Sequence, residues 1–206
     1  MRCRIKMCGM TNSEDALFAE SLGADYVGFI MAPESPRCVT EKTVKDIVGR
    51  MRSATCSKVG VFVNETPERV VEIMTGCGLD IAQLHGEETE VTVERIGPER
   101  VWKVCRLTSR DDIAAAYTCP AAALLIDTQH KGRRGGTGQV GDWDLAAEVA
   151  SSRRVVLAGG LNAGNVGAAV QKVKPFAVDV SSGVERQRGI KDHELMRAFV
   201  AALRTT

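Results

Sequence analysis

Cys8 and Asp127 are placed where they could move protons. Cys8 closes the run "RIKMC" and precedes Gly9. A thiolate there can act as a general base if a cation or a helix end lowers its pKa; otherwise a free cysteine is simply a small packed hydrophobe. Asp127 closes "AAALLID", an uninterrupted apolar run that should be covered on both faces. A carboxyl at the end of such a run must be satisfied or face an open cavity, so it reads either as a cap for the next turn or as a proton donor in a pocket.

A second group of residues suits anions. "LAGGLN", with Gly160, and "VDVSSGVE", with Ser181 and Ser182, both set small residues directly after apolar runs. Glycine lets backbone N–H groups approach phosphate oxygens closely, and a serine hydroxyl can add a donor. Arg37, in "SPR", carries a planar fork that fits a carboxylate, though alone it would read as a surface arginine. His85, in "QLHG", can donate within a pocket or merely complete packing at a strand end. "GRRGGTG", residues 132–138, is a glycine-rich cationic loop that could close over a ligand or stay an ordinary surface loop.

These residues need elements to position them. Short Val- and Ile-rich runs alternate with helix-length amphipathic stretches, the pattern of βα units around a parallel sheet. Strands are predicted at 3–8, 25–31, 58–63, 80–84, 101–106, 122–127, 154–158 and 176–180. Helices are predicted at 13–22, 41–51, 67–76, 88–96, 109–117, 142–151, 163–172 and 191–204. Thr11 with Glu14 has capping-box spacing, Pro67 suits a first helical turn, Asn162 can cap the helix after "LAGGL", and Gly23 and Gly78 mark helix ends. In the last helix Leu195, Phe199, Ala202 and Leu203 fall along one face.

Eight strand–helix pairs in 206 residues leave roughly 25 residues per unit, which predicts a small α/β protein, one single-domain (β/α)8 TIM barrel spanning 1–206. An open doubly wound sheet is the alternative, but no G-x-G-x-x-G opens the first helix. In a barrel the strand C-termini form the active end, which collects Cys8, Arg37, Asn64, His85, Arg106, Asp127, Gly160, Ser181 and Ser182.

Composition narrows the function classes. The formal charge is +1 with both signs interspersed, so no broad field advertises nucleic acid or an anionic membrane as a partner. No apolar run approaches a membrane span, and seven scattered cysteines without a C-x-x-C pair point to reduced thiols in the cytoplasm. The three histidines are far apart in sequence, which gives a metal cluster little support.

Taken in order, "IKMCGMT", "GFIMAPESPR", "VGVFVN", "LDIAQLHG", "LLIDT", "GGTG" with "DW", "LAGGLNAGNV" and "VDVSSGVE" with "GIKD" resemble phosphoribosylanthranilate isomerase of tryptophan biosynthesis. The resemblance runs across nearly the whole chain. It implies an Amadori rearrangement of N-(5-phosphoribosyl)anthranilate, an aminoaldose, into the corresponding 1-deoxyribulose 5-phosphate ketose. It further implies Asp127 as general acid and Cys8 as general base, with Arg37 on the anthranilate carboxylate. Gly160, Ser181 and Ser182 would hold the phosphate, and His85, Gly138, Asp179 and Gly183 would complete the substrate site. No metal or organic cofactor is implied, the partner is the small phosphosugar-anthranilate, and the chain would act as a monomer or homodimer. The sequence leaves two alternatives: another sugar-phosphate isomerase or epimerase on the same barrel, and a catalytically silent barrel that binds a phosphorylated metabolite.

Overall fold

The computed structural model describes residues 2–107, 109–128 and 143–205. Eight parallel strands close on themselves: β1 (Arg4–Cys8), β2 (Tyr26–Ile30), β3 (Ser57–Phe62), β4 (Ile81–Leu84), β5 (Val101–Cys105), β6 (Ala123–Asp127), β7 (Val155–Ala158) and β8 (Ala177–Val180). Each pairs with the next in sequence, and β8 returns to β1 through Lys6 opposite Asp179. Eight helices form the outer ring: α1 (Ser13–Ser21), α2 (Glu41–Val48), α3 (Pro67–Cys77), α4 (Glu90–Ile96), α5 (Asp111–Thr118), α6 (Trp143–Ala150), α7 (Val166–Val173) and α8 (His193–Arg204). This is the (β/α)8 barrel that the alternating pattern predicted, and every predicted strand lies within one residue of an observed one at each end.

Alternation along each strand divides the apolar residues into two sets. Ile5, Val27, Leu84, Leu124, Leu157 and Val178 face outward and join the helices in one large core. Tyr26, Val59, Trp102, Leu125, Val156 and Ala177, with neighbours, fill the barrel itself. Tyr26 and Trp102 meet edge to face there, with ring centroids 4.8 Å apart. Because these inward positions are known, the parity of every strand end follows: Leu125 fixes Asp127 as inward, and Ala177 fixes Asp179 and then Ser181.

The helix-end signals in the sequence mark some observed ends and miss others. Thr66 caps α3 with Pro67 in its first turn, and Gly78 ends it at φ +67°. Gly23, just beyond α1, has φ +77°. The cap of α1, however, is Asn12, whose side chain accepts from Asp15 N; Thr11 instead donates to Gly189 O. Asn162 does not cap α7 directly but accepts from Gly164 N in the turn that leads into the helix at Val166. On α8 the buried stripe is Met196, Phe199, Val200 and Leu203, whereas Leu195 is exposed, so the predicted face was rotated by about one residue. A short hairpin, β9 (Glu185–Gln187) with β10 (Ile190–Lys191), follows β8 and was not foreseen. No described helix is long and apolar enough to cross a membrane.

Candidate active site

The first strand presents Lys6 and Cys8 on the same inward face, two residues apart. Lys6 is fully buried, and its Nζ donates to Asp179 Oδ2 at 2.8 Å from the neighbouring strand. Cys8 is buried opposite Gly28. A Cβ on Gly28 would stand 2.6 Å from Cys8 Sγ and 3.2 Å from Lys6 Cε, so the absent side chain is the space those two atoms share. Burial pushes the Cys8 thiol above its ordinary pKa, while Lys6 pulls it back and Asp179 adds to the rise. For Lys6, burial lowers the ammonium, but attraction to Asp179 and Cys8 outweighs it and the net shift is upward.

Among the described residues four buried side-chain polar atoms have no hydrogen-bond partner, Gln83 Oε1, Trp143 Nε1, Asp179 Oδ1 and Ser181 Oγ, and the last two lie on the β1–β8 side of this end. Such orphans are rare in folded proteins and concentrate where a ligand supplies the missing bond. Ser181 follows β8 and packs near Gly9, whose φ of +76° and lack of a Cβ leave room for Arg37 Cδ and Ser181 Oγ.

Arg37 reaches the same place from the loop after β2. Its Nε and Nη2 each donate to one oxygen of Glu185 at 2.7 Å, an edge-on bidentate pair. Of the five N–H donors of a guanidinium two are thus engaged, and the opposite edge keeps the geometry for a second carboxylate. Glu185 also accepts from Lys191 Nζ at 3.0 Å, and Lys191 Nζ donates to Ser181 O at 3.1 Å. Burial alone would raise the Glu185 carboxyl, but Arg37 and Lys191 hold it below the usual range.

The loops after β7 and β8 touch each other. A Cβ on Gly183 would lie 1.9 Å from Leu161 O, so only glycine permits this approach. Gly159 and Gly160 have φ of +100° and +65°. Asn162 and Asn165 both donate to Gly160 O, which fixes the first loop. Among the described residues the amides of Gly160, Ser182 and Gly183 donate to no protein acceptor, which leaves a set of N–H groups on adjoining loops suited to phosphate oxygens.

Across the barrel, Asp127 closes β6 opposite Ala158 and is half-buried. His85 follows β4, with Gln83 Nε2 3.1 Å from its Nδ1. With the Gln83 amide nitrogen as the donor, Nδ1 accepts and the ring proton goes to Nε2. Burial lowers the His85 pKa, and Asp127, Lys6 and Asp179 all lie close enough to shift it. His85 thus lies within electrostatic reach of both the carboxylate of β6 and the ion pair between β1 and β8. Cys8 and Asp127 stand on inward-facing strand ends with β7 and β8 between them, across the mouth from one another.

The predicted site residues thus converge on one rim. Cys8, Arg37, Asp179, Ser181, Ser182 and Gly183 lie around the β1–β8 side, Gly160 adjoins them, and His85 and Asp127 face them. Gly138 and the rest of the "GGTG" loop lie outside the described residues. Two cavities of about 230 and 460 Å³ lie elsewhere, one between α4 and α5 and one beside the starts of α1 and α8; neither includes Cys8 or Asp127.

Comparison with known proteins decides the family. Residues 5–202 match the family model described as N-(5'phosphoribosyl)anthranilate (PRA) isomerase. The chain belongs to the phosphoribosylanthranilate isomerase family. It is 44% identical to the N-(5'-phosphoribosyl)anthranilate isomerase of Chlorobium luteolum, with 98% of this chain and 97% of that one covered. The crystal structure of phosphoribosyl anthranilate isomerase from Thermotoga maritima superposes with a TM-score of 0.90 at 38% identity, covering 99% of this chain and 100% of that one. A further structure of a phosphoribosyl anthranilate isomerase, in complex with reduced 1-(o-carboxyphenylamino)-1-deoxyribulose 5-phosphate, matches at a TM-score of 0.87 and 36% identity, with 99% and 100% covered.

Three members of this site were not singled out in the sequence: Lys6, Glu185 and Lys191. A lysine inside an apolar strand, two residues before a strand-ending cysteine, is the available signal for the first. Glu185 and Lys191 acquire meaning only once the hairpin folds them back over Ser181 and Arg37.

Proposed function

We propose that this chain converts N-(5'-phosphoribosyl)anthranilate to 1-(2-carboxyphenylamino)-1-deoxy-D-ribulose 5-phosphate by general acid–base catalysis, as a member of an isomerase family of tryptophan biosynthesis. The observation that carries the assignment of roles is the pair of orphaned buried atoms, Asp179 Oδ1 and Ser181 Oγ, beside an inward-facing Cys8. Asp179 Oδ1 can accept from a ligand hydroxyl and Ser181 Oγ can donate to a phosphate oxygen, both beside Cys8.

In this reading the phosphate lies on the amides of Gly160, Ser182 and Gly183 and the Ser181 hydroxyl, and the anthranilate carboxylate takes the free edge of Arg37. Asp127 gives a proton to the furanose ring oxygen as the C1–O bond breaks and the nitrogen lone pair forms the C1=N bond. The Cys8 thiolate then takes the C2 proton; those electrons form C1=C2, and the nitrogen regains its lone pair. Tautomerisation of the resulting enolamine, by loss of the C2 hydroxyl proton and protonation at C1, yields the ketose. Atoms and electrons balance within the substrate, so this route calls for no redox partner. A base that is a free thiol also suits a reducing cytoplasm.

The test follows anthranilate fluorescence of the substrate on addition of purified protein. Turnover is expected to persist in EDTA, and Cys8→Ala and Asp127→Asn are each expected to lower kcat by about 10²- to 10⁴-fold. A flat signal from the wild-type protein would overturn the activity and leave a silent phosphometabolite-binding barrel. Retained turnover in either variant would overturn that residue's role.

A further inference from the structure

An ammonium inside a barrel is costly to bury, and apolar side chains of similar volume usually fill such space more favourably. Lys6 is nonetheless fully buried, and its partner Asp179 uses only Oδ2 for it at 2.8 Å, with Oδ1 unbonded. As a structural ion pair this is incomplete on both sides, since an ammonium carries three donors. The sulfur of Cys8 is the group placed to take another. Lys6 and Cys8 share one face of β1, and Lys6 Cε and Cys8 Sγ both lie within 3.2 Å of the point where a Gly28 side chain would begin.

We propose that Lys6 is a positioning residue for the base: its ammonium, fixed in place by Asp179, stabilises the thiolate form of Cys8 when the buried sulfur gives up its proton. This rests on the reading of Cys8 as the general base. The charged groups facing Cys8 are Lys6 on its own strand, Asp179 on β8, Lys191 on β10 and Arg37 on the loop after β2, with His85 and Asp127 farther across the mouth. Of the cations, Lys191 and Arg37 are both committed to Glu185, and Lys191 also to Ser181 O. Lys6 is the one that shares the inward face of β1 with the thiol, two residues away. Among the side chains it has the largest influence on the sulfur, opposing the rise that burial causes.

The experiment is peptide-resolved alkylation of Cys8 by iodoacetamide across pH, in wild type and Lys6→Met, with kcat and KM measured over the same range. In Lys6→Met the alkylation profile is expected to move up by about one pH unit or more, which is a tenfold slower reaction at a given pH on the rising limb. Turnover should fall in kcat with KM little changed and recover in part as pH rises. If Lys6→Met fails to fold because Asp179 is stranded, Lys6→Met with Asp179→Asn removes both charges and should still shift the profile upward, by less than Lys6→Met alone because the charge of Asp179 that raises the thiol is gone too. An alkylation profile unchanged from wild type, with only stability reduced, would overturn the proposal. Cys8→Ala that keeps full turnover would instead overturn the base assignment, and the alkylation profile would still decide whether Lys6 governs the thiol.

Discussion

Arg37 and Glu185 face each other edge-on, with Nε and Nη2 of the arginine each 2.7 Å from a carboxylate oxygen although 148 residues separate them in sequence. The pair ties the loop after β2 to the segment after β8, so the guanidinium and the loop that carries Ser181 to Gly183 are set in a common frame. It also orients the guanidinium: with one edge locked, the opposite edge is presented in a single direction.

Arg37→Lys should therefore cost substrate affinity more than rate. A lysine cannot grip Glu185 and a substrate carboxylate bidentately at once, and loss of a charge-assisted pair is worth about 1.5–3 kcal/mol, or roughly ten- to a hundredfold in KM. Glu185→Gln should raise KM in the same direction while also lowering the urea midpoint, because Lys191 loses a carboxylate partner in a buried position. Steady-state kinetics with paired urea titrations checks both; a KM unchanged in Arg37→Lys would remove Arg37 from carboxylate binding.

His85 carries a pH dependence whose sign is fixed. Burial, aided by Lys6 and Arg106 and opposed by Asp127 and Asp179, leaves its folded pKa below the ordinary imidazole value. Between the folded and unfolded values the unfolded chain binds the extra proton, so stability rises with pH across that window. The contribution of the neutral ring is fully present above the ordinary imidazole pKa and is lost as pH falls from there toward the folded value. His85→Gln should flatten that part of the acid-side decline in Tm, and nitrogen-detected NMR should find the wild-type ring neutral with its proton on Nε2. A ring that titrates above the ordinary value would contradict the buried arrangement with Gln83.

How much of this was legible in the sequence follows from distance along the chain. Barrel strands are covered on both faces, so they appear as apolar runs such as "ALLID" and "VVLA", and all eight could be located. Cys8, Asp127, Ser181 and Gly160 were visible because each ends such a run. Lys6 was not, because the inward direction of a residue in mid-strand depends on how the sheet closes. Glu185 and Lys191 belong to strands of three and two residues, too short to carry a period, and their partners lie on β2 and β8 loops. Leu195 was assigned to the buried face because a helix's apolar stripe can be read to within a residue or so, and only the packed neighbours decide its centre.

Gly183 tests the anion cradle without touching any proposed proton-transfer group. Its added Cβ in Gly183→Ala would meet Leu161 O at 1.9 Å, backbone against backbone, so the two loops must separate by more than an ångström to relieve the overlap. The amides of Gly160 and Ser182 would then no longer converge on one phosphate. Competition by inorganic phosphate should weaken, and KM should rise by roughly ten- to a hundredfold, the scale expected when charge-assisted hydrogen bonds worth about 1.5–3 kcal/mol are lost. Saturating substrate should recover most of kcat, since Cys8 and Asp127 stand on other strands. Phosphate inhibition that stays as strong as in wild type, in a variant with wild-type circular dichroism, would place the phosphate elsewhere on the barrel.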